Sequence, residues 1–171
     1  FRNVRNVWAC CNPGCTEVLK AYEDQERQIG RLFTEPRMTC GCGSRVLELL
    51  YCETCGEAFL GGYTSGRAKT QGPAEAHYIF PTDPEYPSGE PELVRFRSHN
   101  RFKWYWPGVA NGKIGTNHRV PEAYDPDPKR RSIEFSFTSA RLITESGFLI
   151  NGSPAGKRTG TTMTVSKLPE D

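Results

Sequence analysis

Apolar positions in this chain fall in short alternating or aromatic runs, split by clusters of turn residues. Ser132-Ile133-Glu134-Phe135-Ser136-Phe137 is the clearest of them, and its strict alternation predicts a strand with Ile133, Phe135 and Phe137 on one face. Further strands are predicted at 6–9, 29–33, 45–51, 58–60, 77–80, 93–97, 102–106, 148–150 and 163–165, with loops at 81–91 and 121–128. Residues 16–28 are charged and predict no more than a helical turn or two, with Thr16 as the N-cap. No repeat, heptad or low-complexity tract interrupts this pattern. The prediction is therefore a mainly β protein: a segment of short strands and turns at 1–63, a Gly/Ser/Lys-rich linker at 64–74, and a small antiparallel β domain at 75–171.

Composition sharpens the picture in two places. Thirteen prolines and seventeen glycines favour many turns over long helices. No apolar run approaches the roughly 20 residues that a membrane-spanning helix needs, so no membrane partner is expected. The start at Phe1 offers neither an initiating Met nor the apolar core of a signal peptide, which reads as a piece excised from a larger, cytoplasmic chain.

All seven cysteines lie before residue 56. Disulfides would staple only a third of the chain and leave one thiol over, whereas the close pairs suit metal binding. Cys40-Gly41-Cys42 and Cys52-Glu53-Thr54-Cys55 are too tight for ordinary structural disulfides, yet each turn aims two thiolates at one ion. Cys10 and Cys15 form a third pair around Asn12-Pro13-Gly14. Adjacent cysteines rarely reach one metal together, so Cys10 is taken as the ligand and Cys11 as the spare. The six candidate zinc ligands are thus Cys10, Cys15, Cys40, Cys42, Cys52 and Cys55, which makes residues 1–63 a zinc-ribbon-like segment. Two groupings are open, either Cys10/Cys15 with Cys40/Cys42, or Cys40/Cys42 with Cys52/Cys55. The remaining pair then serves a second ion or stays reduced and buried.

The net charge of +2 matters less than its distribution. Arg95, Arg97, Arg101, Lys103, Lys113 and Arg119 lie in a stretch without Asp or Glu, which suits an anionic partner. Phe102-Lys103-Trp104-Tyr105-Trp106 inside it mixes stacking surfaces with cations, as single-stranded nucleic acid requires. The candidate contact set is Arg95, Arg97, Arg101, Lys103, Trp104 and Trp106. The plainer account of the same run is a core strand, with Trp104 and Trp106 on one face and Lys103 and Tyr105 solvated on the other. Catalysis finds little support. His77, His99 and His118 lack ligand spacing for an open zinc site, and the glycine-lysine run at 152–158 lacks the spacing and the Ser/Thr of a phosphate loop.

The run Val7-Trp8-Ala9-Cys10-Cys11-Asn12-Pro13-Gly14-Cys15 resembles a segment inside large bacterial DEAD/DEAH-box superfamily 2 helicases. The resemblance continues through Ile29 to Arg37, Cys40 to Leu50 and Cys52 to Glu57. It is looser at Ile79 to Asp83, Trp104 to Gly108 and Phe135 to Leu142. It implies a first motif of Trp-Ala-Cys-x-Asn-Pro-x-Cys, pairing Cys10 with Cys15 and placing Cys11 at the variable position. It also implies a further cysteine pair downstream to complete a site with Cys52 and Cys55. The role implied is a non-catalytic accessory region that contacts DNA or braces the helicase motor domains of the same chain, in DNA repair or anti-phage defence. A protein-interaction module with no nucleic-acid contact, docking a partner subunit, is the rival expectation.

Overall fold

The computed structural model describes residues 2–52, 56–68, 76–84, 101–108, 117–121, 132–152 and 159–167. Among these the protein is almost wholly β. The strands are β1 (Arg2–Cys10), β2 (Leu32–Phe33), β3 (Val46–Tyr51), β4 (Ala58–Ala68) and β5 (Ala76–Phe80). They are followed by β6 (Phe102–Pro107), β7 (Asn117–Pro121), β8 (Ser132–Ile143), β9 (Phe148–Asn151) and β10 (Thr159–Lys167). The single helical element described is a 3₁₀ turn at Lys20–Tyr22, which Leu19 precedes in extended conformation; Thr16 does not cap it.

Six strands close on themselves. β4 pairs β5, β5 pairs β9, β9 pairs β8, β8 pairs β10, β10 pairs β6, and β6 returns to β4, every pairing antiparallel. Closure removes the open edges that a sheet of this size would otherwise expose. Between Thr64 and Arg67 the chain of β4 gains one residue on β5, a bulge that adds the local bend a small barrel needs.

The two longest strands overrun the barrel, and each carries an extra neighbour. Along one edge of β4, β3 pairs its first half through Glu48↔Gly61 to Tyr51↔Ala58, and β5 pairs its second half. β1 and β2 then extend outward from β3. Along β8, β7 pairs residues 132–136 and β9 pairs residues 140–143. Residues 64–68, which composition assigned to a linker, are the second half of β4. Their polarity does not prevent pairing, because a strand takes its hydrogen bonds from the backbone.

The barrel is filled by Leu60, Ile79, Tyr105, Ala140, Leu142 and Leu149, with Ala9, Cys11 and Leu47 from the β1–β3 layer joining the same core. Outside it, Leu50, Phe59, Tyr63 and Phe102 form a second cluster onto which Trp104 and Trp106 pack. β6 is therefore covered on both faces. Trp104 and Trp106 share a face as alternation required, but Tyr105 is buried at 4 % exposure instead of solvated. Its opposite face is the barrel interior, where burial pushes the Tyr105 hydroxyl up to about 12.

Candidate metal centre

β1 ends at Cys10, and successive residues of an extended chain point to opposite sides. That alternation separates the two adjacent cysteines. Cys10 turns into a small cluster with Trp8, Cys15, Phe33, Cys40 and Val46, while Cys11 joins the barrel core. The Cys11 thiol donates to the Thr144 carbonyl at 3.4 Å, and burial pushes it up to about 12. Cys11 is thus held as a thiol at neutral pH, away from the cluster. In the folded, reduced protein Cys11 is expected to react with iodoacetamide at pH 8 well after the more exposed and more acidic Cys42, measured by peptide mass mapping; equal rates would contradict its burial.

Cys10, Cys15, Cys40 and Cys42 bring their sulfur atoms within 4.8 Å of one another. Two arms supply them. In the first, Asn12 to Cys15 turn back on themselves, with the Cys15 N–H donating to the Asn12 carbonyl at 3.1 Å. In the second, the Cys40 N–H donates to Ser44 O at 2.8 Å and the Gly43 N–H to Cys40 O at 2.9 Å. Gly43 sits at φ +83°, a conformation that glycine adopts without penalty. Across the arms, Cys10 Sγ lies 3.6 Å from Cys42 Sγ, and Cys15 Sγ lies 3.6 Å from Cys40 Sγ. Sulfur at about 2.3 Å from a central ion gives tetrahedral edges of about 3.8 Å, so these separations fit a four-thiolate site.

The surroundings favour protons over a bare cluster of thiolates. Burial, then the proximity of the other thiols, holds Cys10 above the ordinary thiol range, and burial does the same for Cys40. Cys42 is the exception. Its burial is outweighed by hydrogen bonds from the Ser44 side chain and backbone and from Cys15 and Cys10, which bring it down to about 6. A bound dication would supply the charge that lets all four ionise together, so metal and protons would compete and affinity would fall on acidification.

Three residues outside the cysteine set position the arms. Gly30 donates its N–H to Cys10 O at 2.8 Å, and a Cβ there would lie 3.1 Å from Cys10 Cβ, 2.7 Å from Asn12 O and in collision with Cys15 Cβ. Arg27 donates from Nε to Pro13 O and from Nη2 to Cys15 O, the latter at 2.9 Å. Arg45 ties the second arm to the β8–β9 turn, its N–H reaching Thr144 O at 2.6 Å and Nη2 reaching Ser146 O at 2.8 Å. A glycine inside an apolar run signals close backbone approach, so Gly30 was open to recognition from the sequence. Arg27 and Arg45 carried no such mark.

The other predicted site residues lie elsewhere. Cys52 packs beside the outer aromatic cluster, not with the four sulfurs. The Cys52 N–H donates to Glu57 O and the Gly56 N–H to Cys52 O, both at 2.9 Å, with Gly56 at φ +77°; each bond spans one residue more than its counterpart in the second arm. Cys55, Arg95 and Arg97 lie outside the described residues. Arg101 forms an ion pair with the buried Asp83. Trp106 packs on Phe59 at a tilt of 42° with centroids 5.0 Å apart and donates Nε1–H to Glu57 at 3.3 Å; Trp104 meets Phe102 edge-on at 6.0 Å. No helix among the described residues is long and apolar enough to cross a membrane.

Fold and site together define a six-stranded antiparallel barrel that carries a four-cysteine centre on a flanking sheet. Residues 32–167 match the YjiV N-terminal domain, and the chain belongs to that family. It is also similar to the Druantia protein DruE of Escherichia coli (strain UMEA 4076-1), at 37% identity over 67 residues. Those residues are 38% of this chain and 4% of DruE, so the chain corresponds to a small part of that relative. No solved structure matches the chain.

Proposed function

We propose that the chain is a non-catalytic accessory domain of a much larger protein, a helicase of the DEAD/DEAH-box type, held in shape by one structural zinc at Cys10, Cys15, Cys40 and Cys42. The observation that carries the reading is the convergence of four sulfurs from two arms within 4.8 Å of one another, enclosed by Trp8, Phe33 and Val46. An all-thiolate set with no open position suits structural zinc rather than a catalytic ion. It also suits a reducing, cytoplasmic setting, where thiols persist. Cys52 and Cys55 would serve a second ion with ligands from elsewhere in the parent protein. Of the two settings that the helicase resemblance implies, the similarity to DruE favours defence over repair.

Bracing of the parent protein is favoured over DNA contact. Of the candidate contact residues, Arg101 is engaged by Asp83, and Trp104 and Trp106 pack on the outer cluster in place of offering free stacking faces. Two measurements test the two halves of the reading. Elemental analysis of protein purified under reductant should return zinc bound to the four-cysteine centre, lost in a Cys15→Ala variant; no metal, or metal unaffected by that change, removes the zinc assignment. Fluorescence anisotropy with a single-stranded oligonucleotide should show no binding at about 50 mM or about 200 mM salt. Affinity that falls steeply between them, and drops further in Arg95→Ala and Arg97→Ala, would replace bracing by DNA contact.

A further inference from the structure

We propose that the four-cysteine centre can exchange its metal for two disulfides, Cys10–Cys42 and Cys15–Cys40, that join the same two arms and keep this part of the fold intact through oxidation. The inference rests on the metal-centre reading above, and on how the four sulfurs are paired in space. Two sulfur pairs stand in contact across the arms. Cys10 and Cys42 lie 3.6 Å apart across 32 residues, and Cys15 and Cys40 lie 3.6 Å apart across 25. Each such pair takes one cysteine from each arm. Bonding requires the sulfurs to close to about 2.05 Å, a movement of under an ångström for each side chain. Bridges within the turns, Cys10–Cys15 and Cys40–Cys42, would link nothing beyond the turns themselves. The two cross-arm bridges close long loops, the case in which a disulfide most restricts the unfolded chain.

Access follows from burial. Cys10, Cys15 and Cys40 are buried and Cys42 is half-exposed, so an oxidant reaches Cys42 first. Cys10 is its partner at 3.6 Å, since Cys11 faces the barrel core and donates to Thr144 O. With hydrogen peroxide as oxidant, two thiolates give up two electrons and form one S–S bond. The peroxide O–O bond breaks, takes those electrons and two protons, and leaves as two waters. Repetition at Cys15 and Cys40 consumes the last two ligands, and the zinc departs as the dication, its oxidation state unchanged.

The test starts from zinc-loaded protein, its metal content measured before any oxidant is added. After hydrogen peroxide treatment, zinc release is followed with a colorimetric chelator, the bridges are mapped by mass spectrometry, and amide exchange is compared with that of protein chelated under reductant. The expected result is loss of the bound zinc, bridges at Cys10–Cys42 and Cys15–Cys40, and preserved protection at the N–H groups of Cys10, Gly30 and Cys40. Those amides donate to Arg31 O, Cys10 O and Ser44 O, so they report directly on the arms. Chelated, reduced protein should lose that protection. Bound zinc followed by bridges within the turns, or by lost protection in the oxidised protein, overturns the exchange and leaves the metal centre standing. Absence of zinc before oxidation overturns the metal-centre reading and the exchange with it.

Discussion

Cys40→Ser is expected to abolish metal binding and to unfold the two arms while leaving the barrel strands paired. Serine is nearly isosteric with cysteine, so packing changes little, and the effect isolates the sulfur. A hydroxyl does not ionise at neutral pH, and the remaining thiols then hold an ion weakly. Structural zinc contributes about 10–16 kcal/mol of apparent binding energy in isolated finger peptides. Little else holds these arms: the span between Cys15 and Cys40 contains one 3₁₀ turn and the two-residue strand β2, and exposes Leu19, Tyr22, Leu32 and Met38. The barrel has its own core in Leu60, Ile79, Leu142 and Leu149, and six strands that close without the arms. Zinc content together with amide exchange, resolved by segment, checks both halves. Retained zinc in the variant, or loss of protection spread evenly over barrel and arms, contradicts the expectation.

A smaller loss at the same centre is expected from Gly30→Ala, although residue 30 offers no ligand. One added methyl group would meet Cys10 Cβ at 3.1 Å and Asn12 O at 2.7 Å, and collide with Cys15 Cβ. None of these can yield as the tip of a flexible side chain would. Two are the first carbons of proposed ligands and the third is the backbone of the turn between them. Overpacking of this kind costs about 1–3 kcal/mol, so affinity for zinc should fall by roughly 10- to 100-fold if the strain is felt at the site. Competition against a chromophoric chelator measures that change. Unchanged affinity would mean that the arm shifts freely, and that the tight seat of Gly30 on the cysteines does not matter to the centre.

These two positions mark what could be read from the residues alone. The β character was legible because short alternating and aromatic runs bounded by turn residues suit strands better than helices, and most predicted strands have counterparts among the observed ones. The tight cysteine turns were legible because two thiols within a few residues of a glycine have a small set of geometries. The separation of Cys10 from Cys11 follows from equally local geometry, since adjacent side chains on an extended strand diverge. β7 went unpredicted: Asn117-His118-Arg119-Val120-Pro121 has one strongly apolar residue and becomes a strand only because β8 extends past the barrel to pair it.

The sequence by itself determined the kind of element and the kind of side chain that gathers at the site, because both follow from local chemistry: residue period, turn residues and thiol spacing. Only the tertiary structure decided which elements meet. It joined Cys10 and Cys15 to Cys40 and Cys42 rather than to Cys52, since β1 and β3 pair through Cys10↔Val46 and bring the first two turns to one end of the sheet. It turned Tyr105 inward by closing β6 between β4 and β10. It set Arg101 against Asp83, from which no local pattern in either segment could have foretold an ion pair. Contacts of that range depend on strand register and barrel closure, properties of all the strands at once, and no window of a few residues contains them.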